Sequence, residues 1–256
     1  MSRLRKLFGV FWKIGWALVH SLVGFVTIRL VFPRLSQAER FARSQAWSRQ
    51  ALKLLDIRLD VRGHPPVQGP MLLVANHISW LDIPVLHAAR HCRFVSKSDV
   101  KRWPLIATLA EGSGTLFIER ASRRDAMRVV HTMAERLVAG DIVAIFPEGT
   151  TSDGVSMLPF HANLIQAAIS TDMPVQPVAL QFIETATGRM SLAPCYIGDD
   201  TLLGSIWRTL TAPRLTAVVT YGLPQRAEGR NRRMWADDLH AAVGLLRELP
   251  KIQQHE

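Results

Sequence analysis

Met71-Leu72-Leu73-Val74-Ala75-Asn76-His77-Ile78-Ser79-Trp80-Leu81-Asp82-Ile83-Pro84-Val85-Leu86 is the stretch around which the chain is organised. The five apolar residues at its start read as a short buried strand, and Ile83 to Leu86 read as the first turn of a helix. Residues 76–82 are therefore a strand-to-helix turn. In an open α/β sheet such a turn lies at the carboxyl end of a strand, where backbone N–H groups and side chains converge on a cleft that water can reach.

A histidine followed five positions later by an aspartate can be folded by this turn so that the carboxylate accepts one imidazole N–H and the other nitrogen stays free as a base. No Gly-x-Ser-x-Gly elbow and no plausible nucleophilic cysteine accompanies His77 and Asp82, so the nucleophile is expected to arrive with the substrate as a hydroxyl group. Taken alone, His-x4-Asp also fits a histidine capping a helix beside a solvated aspartate. The rest of the chain has to separate the two.

Outward from the turn, strands and helices alternate. Ile57-Arg58-Leu59-Asp60-Val61-Arg62 has the apolar/charged alternation of a half-exposed strand, closed by Gly63-His64-Pro65-Pro66. A helix is expected over residues 83–90 and a strand over 92–96, after which the chain leads through Trp103-Pro104 to Gly112-Ser113-Gly114 with no element assigned. A strand then follows at Thr115-Leu116-Phe117-Ile118. Ser122 and Asp125 have capping-box spacing before a helix with Met127, Val130, Met133, Ala134, Leu137 and Val138 inward, ended by Gly140. Asp141-Ile142-Val143-Ala144-Ile145-Phe146 reads as a buried strand, residues 164–170 as a short helix, and residues 175–182 as a strand in which Pro177 marks a bulge or an edge. A helix over 202–210, a strand over 215–221 and a C-terminal helix within 232–248 complete an α/β domain with a mixed sheet flanked by helices.

The 256 residues suit one sizeable domain with an appendage. The formal charge of +10 is unevenly placed: residues 1–62 hold twelve Lys/Arg against Glu39, Asp56 and Asp60, a local balance of +9, and residues 63–256 carry only +1. The basic quarter is also apolar. Residues 7–32 are interrupted only by Lys13, His20 and Arg29, and Trp12 and Trp16 stand near the start, a pattern that fits an apolar helix or helical hairpin inserted in one leaflet and leaves a single span open. Residues 36–56 read as a basic amphipathic helix, with Phe41, Trp47, Ala51, Leu54 and Leu55 on one side and Arg40, Arg43, Arg49 and Lys53 largely on the other. That helix suits either an anionic lipid surface or the flank of the sheet. The expected division is residues 1–56 as membrane-association helices and 57–256 as the α/β domain. Nucleic acid is disfavoured, because the basic residues are mixed with a membrane-like run and no nucleic-acid motif appears. With only Cys92 and Cys195 and no small-residue cleavage site after the apolar run, neither a structural disulfide nor a cleavable signal peptide is expected.

Four ordered blocks give the chain a resemblance to the glycerolipid acyltransferases of the 1-acylglycerol-3-phosphate O-acyltransferase type: Asn76-His77-x4-Asp82, Gly114-Thr115-Leu116-Phe117-Ile118-Glu119-Arg120, Phe146-Pro147-Glu148-Gly149-Thr150, and Val175-Gln176-Pro177-Val178. The resemblance implies that His77, oriented by Asp82, takes the proton of an acceptor hydroxyl as that oxygen attacks an acyl thioester carried by acyl carrier protein or coenzyme A. Backbone N–H groups near Glu148-Gly149 or the His77 turn would hold the oxyanion. It implies substrate-binding roles for Lys97, Gly114, Phe117, Arg120, Glu148, Gly149 and Thr150, with Arg120 and Lys97 suited to a phosphate. It implies no cofactor or metal beyond the thioester co-substrate, and a lysolipid acceptor. The basic, apolar N-terminal quarter points to an anionic membrane surface as partner, and the two cysteines to an active site facing the cytoplasm at the inner membrane.

The departures concern the acceptor. Where many members of the family read Pro-Glu-Gly-Thr-Arg-Ser this chain has Pro147-Glu148-Gly149-Thr150-Thr151-Ser152, and where many read Phe-Lys-x-Gly it has Phe160-His161-Ala162-Asn163. Two basic positions have become neutral or titratable. The leading acceptor expected from the family is 1-acylglycerol-3-phosphate, with a lyso-ornithine or other lysolipid as the alternative. A non-catalytic membrane module and a thioesterase using water are the competing classes.

Overall fold

The computed structural model of the chain describes residues 3–118 and 123–248. Seven strands form one mixed sheet: β1 (Ile57–Arg62), β2 (Met71–Ala75), β3 (Arg93–Lys97), β4 (Leu116–Ile118), β5 (Ile142–Ile145), β6 (Val175–Glu184) and β7 (Leu215–Tyr221). Their order across the sheet is β1-β7-β6-β2-β5-β3-β4, and every neighbouring pair is parallel except β6 with β7. Because β2, β5, β3 and β4 are parallel neighbours, their carboxyl ends open along one edge. That edge carries His77, Glu148 and Lys97, which is where an open α/β sheet places a site.

Side-chain alternation explains the layers. Leu73 and Ala75 point to one face, where they meet Val85, Leu86 and Leu52, and Leu72 and Val74 point to the other, where they meet Met133, Leu137, Trp235 and Leu239. A strand with both faces covered has no reason to be polar anywhere, and all five residues of β2 are buried. One layer consists of α2 (Gln37–Leu54) and α3 (Asp82–Ala89), the other of α5 (Arg123–Val138), α6 (Gln166–Thr171) and α8 (Arg232–Glu248). Ser36 begins α2 with a complete capping box to Glu39.

Of the helix and the helical hairpin expected for the apolar N-terminal run, the structure has the helix, one continuous element of 28 residues, α1 (Arg3–Leu30). Several other expectations are corrected. Residues 104–112, to which the sequence pattern assigns no element, form α4 (Pro104–Gly112): Pro104 stands in its first turn, where a missing N–H costs nothing, and Gly112 gives room to Ile28 of α1. In α5 the inward stripe is Val129, Met133 and Leu137, whereas Met127 and Val138 are exposed. The covered stripe of α2 is Ser44, Ser48 and Leu52, and its two serines are small enough to let the helix lie close to α3. Arg49 Nε and Gln45 Nε2 donate to the terminal carbonyls of α3, at 2.8 Å to Ala88 and 3.0 Å to Ala89, so one of the four basic residues of α2 is engaged in capping. Pro177 sits in a central strand, not at an edge, but the bulge is there: the register with the chain beyond β7 slips by one residue between Val178↔Tyr221 and Val175↔Gln225. Ser122 and Arg120 lie outside the described residues. Cys92 and Cys195 are buried and free.

Candidate active site

Asn76 ends β2 by a side-chain imitation of the sheet. Its Oδ1 accepts the Leu180 N–H at 2.7 Å and its Nδ2 donates to the Leu180 carbonyl at 3.0 Å, which holds the first residue of the turn against β6. The chain then bends so that Asp82, at the start of α3 and completely buried, gathers three groups on one oxygen. Oδ2 lies 2.7 Å from His77 Nδ1 and accepts the N–H groups of Ile78 at 2.6 Å and Ser79 at 2.9 Å. The amino terminus of α3 adds its positive field to the same carboxylate. An aspartate held in this way fixes the imidazole with Nδ1 inward, and Nε2 has no hydrogen-bond partner among the described residues.

Three further groups hold His77. The Glu148 carboxylate accepts the His77 N–H on Oε1 at 2.7 Å and the Leu158 N–H on Oε2 at 2.8 Å. Ser152 donates both its N–H (2.8 Å) and its hydroxyl (3.0 Å) to the His77 carbonyl. The imidazole lies flat on the Phe146 ring, with centroids 4.1 Å apart and planes 9° from parallel, and Phe146 is stacked in turn on Phe94. The ring of His77 remains 19% exposed. Burial pushes the Glu148 carboxyl up, and the two N–H donors oppose that rise.

The turn after β5 is built for this contact. Gly149 closes it with an N–H bond to the Phe146 carbonyl at 3.1 Å and a φ of 75°, a left-handed conformation in which a side chain would be strained. The backbone donors of Ile78, Ser79 and Gly149 are thus engaged, and on the adjoining turn the N–H groups of Thr150 and Thr151 make no hydrogen bond among the described residues. The Thr151 hydroxyl donates to the Tyr196 carbonyl, so a neutral, internally bonded side chain stands where a basic one is common. His161 is exposed, with its N–H bonded to the Pro147 carbonyl at 2.8 Å.

The other site residues named from the sequence are spread along the edge. Thr150 is exposed. Lys97 ends β3, two strands from β2, and its side chain is not among those described. Gly114, at φ 83°, makes room for Arg93, whose guanidinium a Cβ there would meet at 2.3 Å. Its surroundings point to packing before β4 and not to the His77 cleft. Phe117, paired with Ser96, lies under the Lys101 ammonium at 5.0 Å and beside a cleft of about 190 Å³ that Arg128 and Thr132 also line. Reasoning from the sequence left Asn76, Phe146, Ser152 and Tyr196 without roles. The first two stand inside the quoted blocks and were within reach; Tyr196 carries no local signal.

A family model described as Acyltransferase matches residues 58–181. A lyso-ornithine lipid O-acyltransferase of Pseudomonas aeruginosa is 36% identical over 247 residues, covering 96% of this chain and 94% of that protein. The chain belongs to the glycerolipid acyltransferase family. A 1-acyl-sn-glycerol-3-phosphate acyltransferase of Neisseria gonorrhoeae is also 36% identical, covering 77% of this chain and 82% of the relative. In three dimensions the acyltransferase resembles the LPA acyltransferase PlsC of Thermotoga maritima, with a TM-score of 0.68, 20% identity and coverage of 98% of this chain and 100% of that one, a likeness of fold. The protein is an acyltransferase enzyme, and its mixed sheet flanked by helices matches the fold of that structure; this chain also has the apolar helix α1 at its N-terminal end.

Proposed function

We propose that the acyltransferase moves a fatty acyl group from a thioester of acyl carrier protein or coenzyme A to the free hydroxyl of a lysolipid. The observation that carries this reading is the His77–Asp82 pair at 2.7 Å with Nε2 unengaged on an open edge. Nε2 takes the acceptor hydroxyl proton while the hydroxyl oxygen attacks the thioester carbonyl carbon. The tetrahedral intermediate collapses with cleavage of the C–S bond, and the imidazolium returns the proton to the leaving thiolate. The N–H groups of Thr150 and Thr151 are the oxyanion donors this reading assigns. Glu148, Gly149, Phe146 and Ser152 hold His77 in place.

For the acceptor, the engaged, uncharged Thr151 supports a headgroup without a phosphate monoester, and the relative that covers 96% of this chain is a lyso-ornithine lipid O-acyltransferase. This reverses the order that family frequency suggests. The phosphate reading keeps the support of Arg120 and Lys97 in the sequence and of the Neisseria relative. Side-by-side transfer rates on lyso-ornithine lipid and 1-acylglycerol-3-phosphate decide between them: a rate on the phosphate lipid at least equal to that on the ornithine lipid overturns the preference for a phosphate-free acceptor.

We place the enzyme on one leaflet of the inner membrane with the active site facing the cytoplasm. The stretch Leu7–Leu30 is long enough to cross a bilayer, yet one side of α1 is bonded to the body along its length. Lys13 meets Asp56 at 3.5 Å, His20 and Trp47 exchange side-chain-to-carbonyl bonds at 3.0 and 3.1 Å, and Arg29 reaches Thr108 at 3.3 Å. The other side exposes Phe8, Trp12, Trp16, Val19, Leu22 and Val26. A helix with its polar residues inward and its apolar ones outward suits lipid on one flank and protein on the other.

A further inference from the structure

We infer that the helix α7 (Leu202–Thr211) is a second lipid-contacting element, and that it sets the His77 turn at the surface of the same leaflet; the inference rests on the reading of α1 as a membrane helix. Thr201 caps α7, accepting the Gly204 N–H at 3.1 Å, and the helix stands beside α1, where the rings of Phe11 and Trp207 meet with centroids 5.9 Å apart. Leu203 is 78% exposed and Trp207 39%, so the outward side of α7 continues the apolar side of α1 through the Phe11–Trp207 contact.

The inward side of α7 carries Ser205 and Thr209 beside the apolar Leu210, and its hydroxyls are engaged. The Ser205 hydroxyl, completely buried, accepts the indole N–H of Trp80 at 3.2 Å and shares its own proton between the carbonyls of Pro194 and Cys195, each at 3.2 Å. Arg208 reaches the Cys195 carbonyl at 2.6 Å. Trp80 lies within the His77–Asp82 turn. The neighbouring Tyr196 gives its N–H to the Ile78 carbonyl at 3.2 Å and takes the Thr151 hydroxyl on its own carbonyl. Both turns that form the site are therefore fastened to the segment that carries α7. A helix inserted through Leu203 and Trp207 fixes how high those turns stand above the acyl chains.

The occupant of this surface is lipid and not the acyl donor's protein carrier. The one cation of α7, Arg208, is neutralised by Asp200 at 2.8 and 2.9 Å, which leaves a neutral apolar side with nothing to attract an acidic partner. A bilayer, by contrast, is matched by the joined aromatic and aliphatic surface of α1 and α7.

The test uses the full-length enzyme on phosphatidylethanolamine/phosphatidylglycerol vesicles containing brominated acyl chains, with an environment-sensitive fluorophore on Leu203→Cys, on Val19→Cys, or on the remote Leu245→Cys; both native cysteines are buried. Quenching at 203 and 19 but not at 245 is the expected result. Quenching at 19 without quenching at 203 overturns the inference and leaves the membrane reading of α1 intact; quenching at neither site removes both. As a second measurement, Leu203→Glu should lower the ratio of turnover on vesicle-embedded acceptor to turnover on a dispersed short-chain acceptor by about 10-fold, the effect of losing one buried leucine's transfer energy. An unchanged ratio contradicts the inference.

Discussion

The carboxylate of Glu148 is bonded to the backbone of His77, with Oε1 accepting its N–H at 2.7 Å across 71 positions of sequence. The other oxygen holds Leu158, so one buried side chain fixes both the candidate base and the loop that follows Gly149. Glu148→Gln keeps the shape but offers one acceptor where two donors converge. A buried mismatch of that kind costs about 1–3 kcal/mol. The expected outcome is a folded enzyme with kcat lowered by about 10-fold or more, measured by product formation alongside circular dichroism.

Asp82 carries the orientation of the imidazole on a single oxygen shared with Ile78 and Ser79. His77→Ala should lower turnover by about 10²–10⁴-fold, the range for loss of a general base. Asp82→Asn should fall in the same range, because a neutral amide no longer stabilises the imidazolium formed when His77 takes the proton. Thermal melting of both variants checks that the fold persists.

Thr151→Arg introduces a cation where the wild-type hydroxyl is bonded to Tyr196. If the natural acceptor lacks a phosphate, the variant should shift preference towards 1-acylglycerol-3-phosphate by about 10- to 150-fold, the value of one charged hydrogen bond of about 1.5–3 kcal/mol. Competition between the two acceptors in one reaction measures the shift. No change would favour the phosphate lipid as the natural acceptor.

His87 and His91 form a buried pair behind the site, their rings 4.9 Å apart, with His87 edge-on to Phe94. Burial pushes His91 down to about 4 and holds His87 well below its ordinary value. Both are neutral at pH 7, but the unfolded chain takes up protons below about 6.5, whereas the folded chain resists. Stability should therefore fall as pH drops from about 6.5 towards 4, by about 1.4 kcal/mol per pH unit for each histidine. His87→Phe removes one proton from that slope. Urea denaturation at pH 7.5, 6.0 and 5.0 reads the difference.

Val19 and Leu22 belong to the outward side of α1 and are more than half exposed. The double change to Glu should release the enzyme from membranes without unfolding it, since neither side chain belongs to the buried core. Fractionation after a salt wash is the assay. Continued salt-resistant association would contradict the assignment of α1.

The strands were legible because burial on both faces demands apolar runs: residues 71–75 and 215–221 have the bounds read from the sequence, and the C-terminal helix fills the range 232–248 within which it is expected. The His77–Asp82 pair was legible because five residues of a turn suffice to form it. Contacts between distant segments left no such trace. Nothing near Tyr196 announces that its carbonyl receives Thr151, and Ser205 gives no sign of its bond to Trp80. α4 was missed because its composition is nearly all apolar and Gly112 ends it against α1, so no polar face marks its period. The apolar side of α2 was legible, with Phe41, Ala51 and Leu55 half-buried, but the serines Ser44 and Ser48 at its closest approach to α3 were not, because periodicity looks for large apolar residues.

The central claim is that an acceptor hydroxyl, and not water, takes the acyl group under the action of His77. The most direct measurement follows thiol release and ester formation together in purified enzyme supplied with an acyl thioester, with and without lysolipid, for wild type and His77→Ala. Thiol and ester should appear in equal amounts only when wild type and lysolipid are both present. Thiol release of equal rate without lysolipid, or wild-type ester formation by folded His77→Ala, would contradict it.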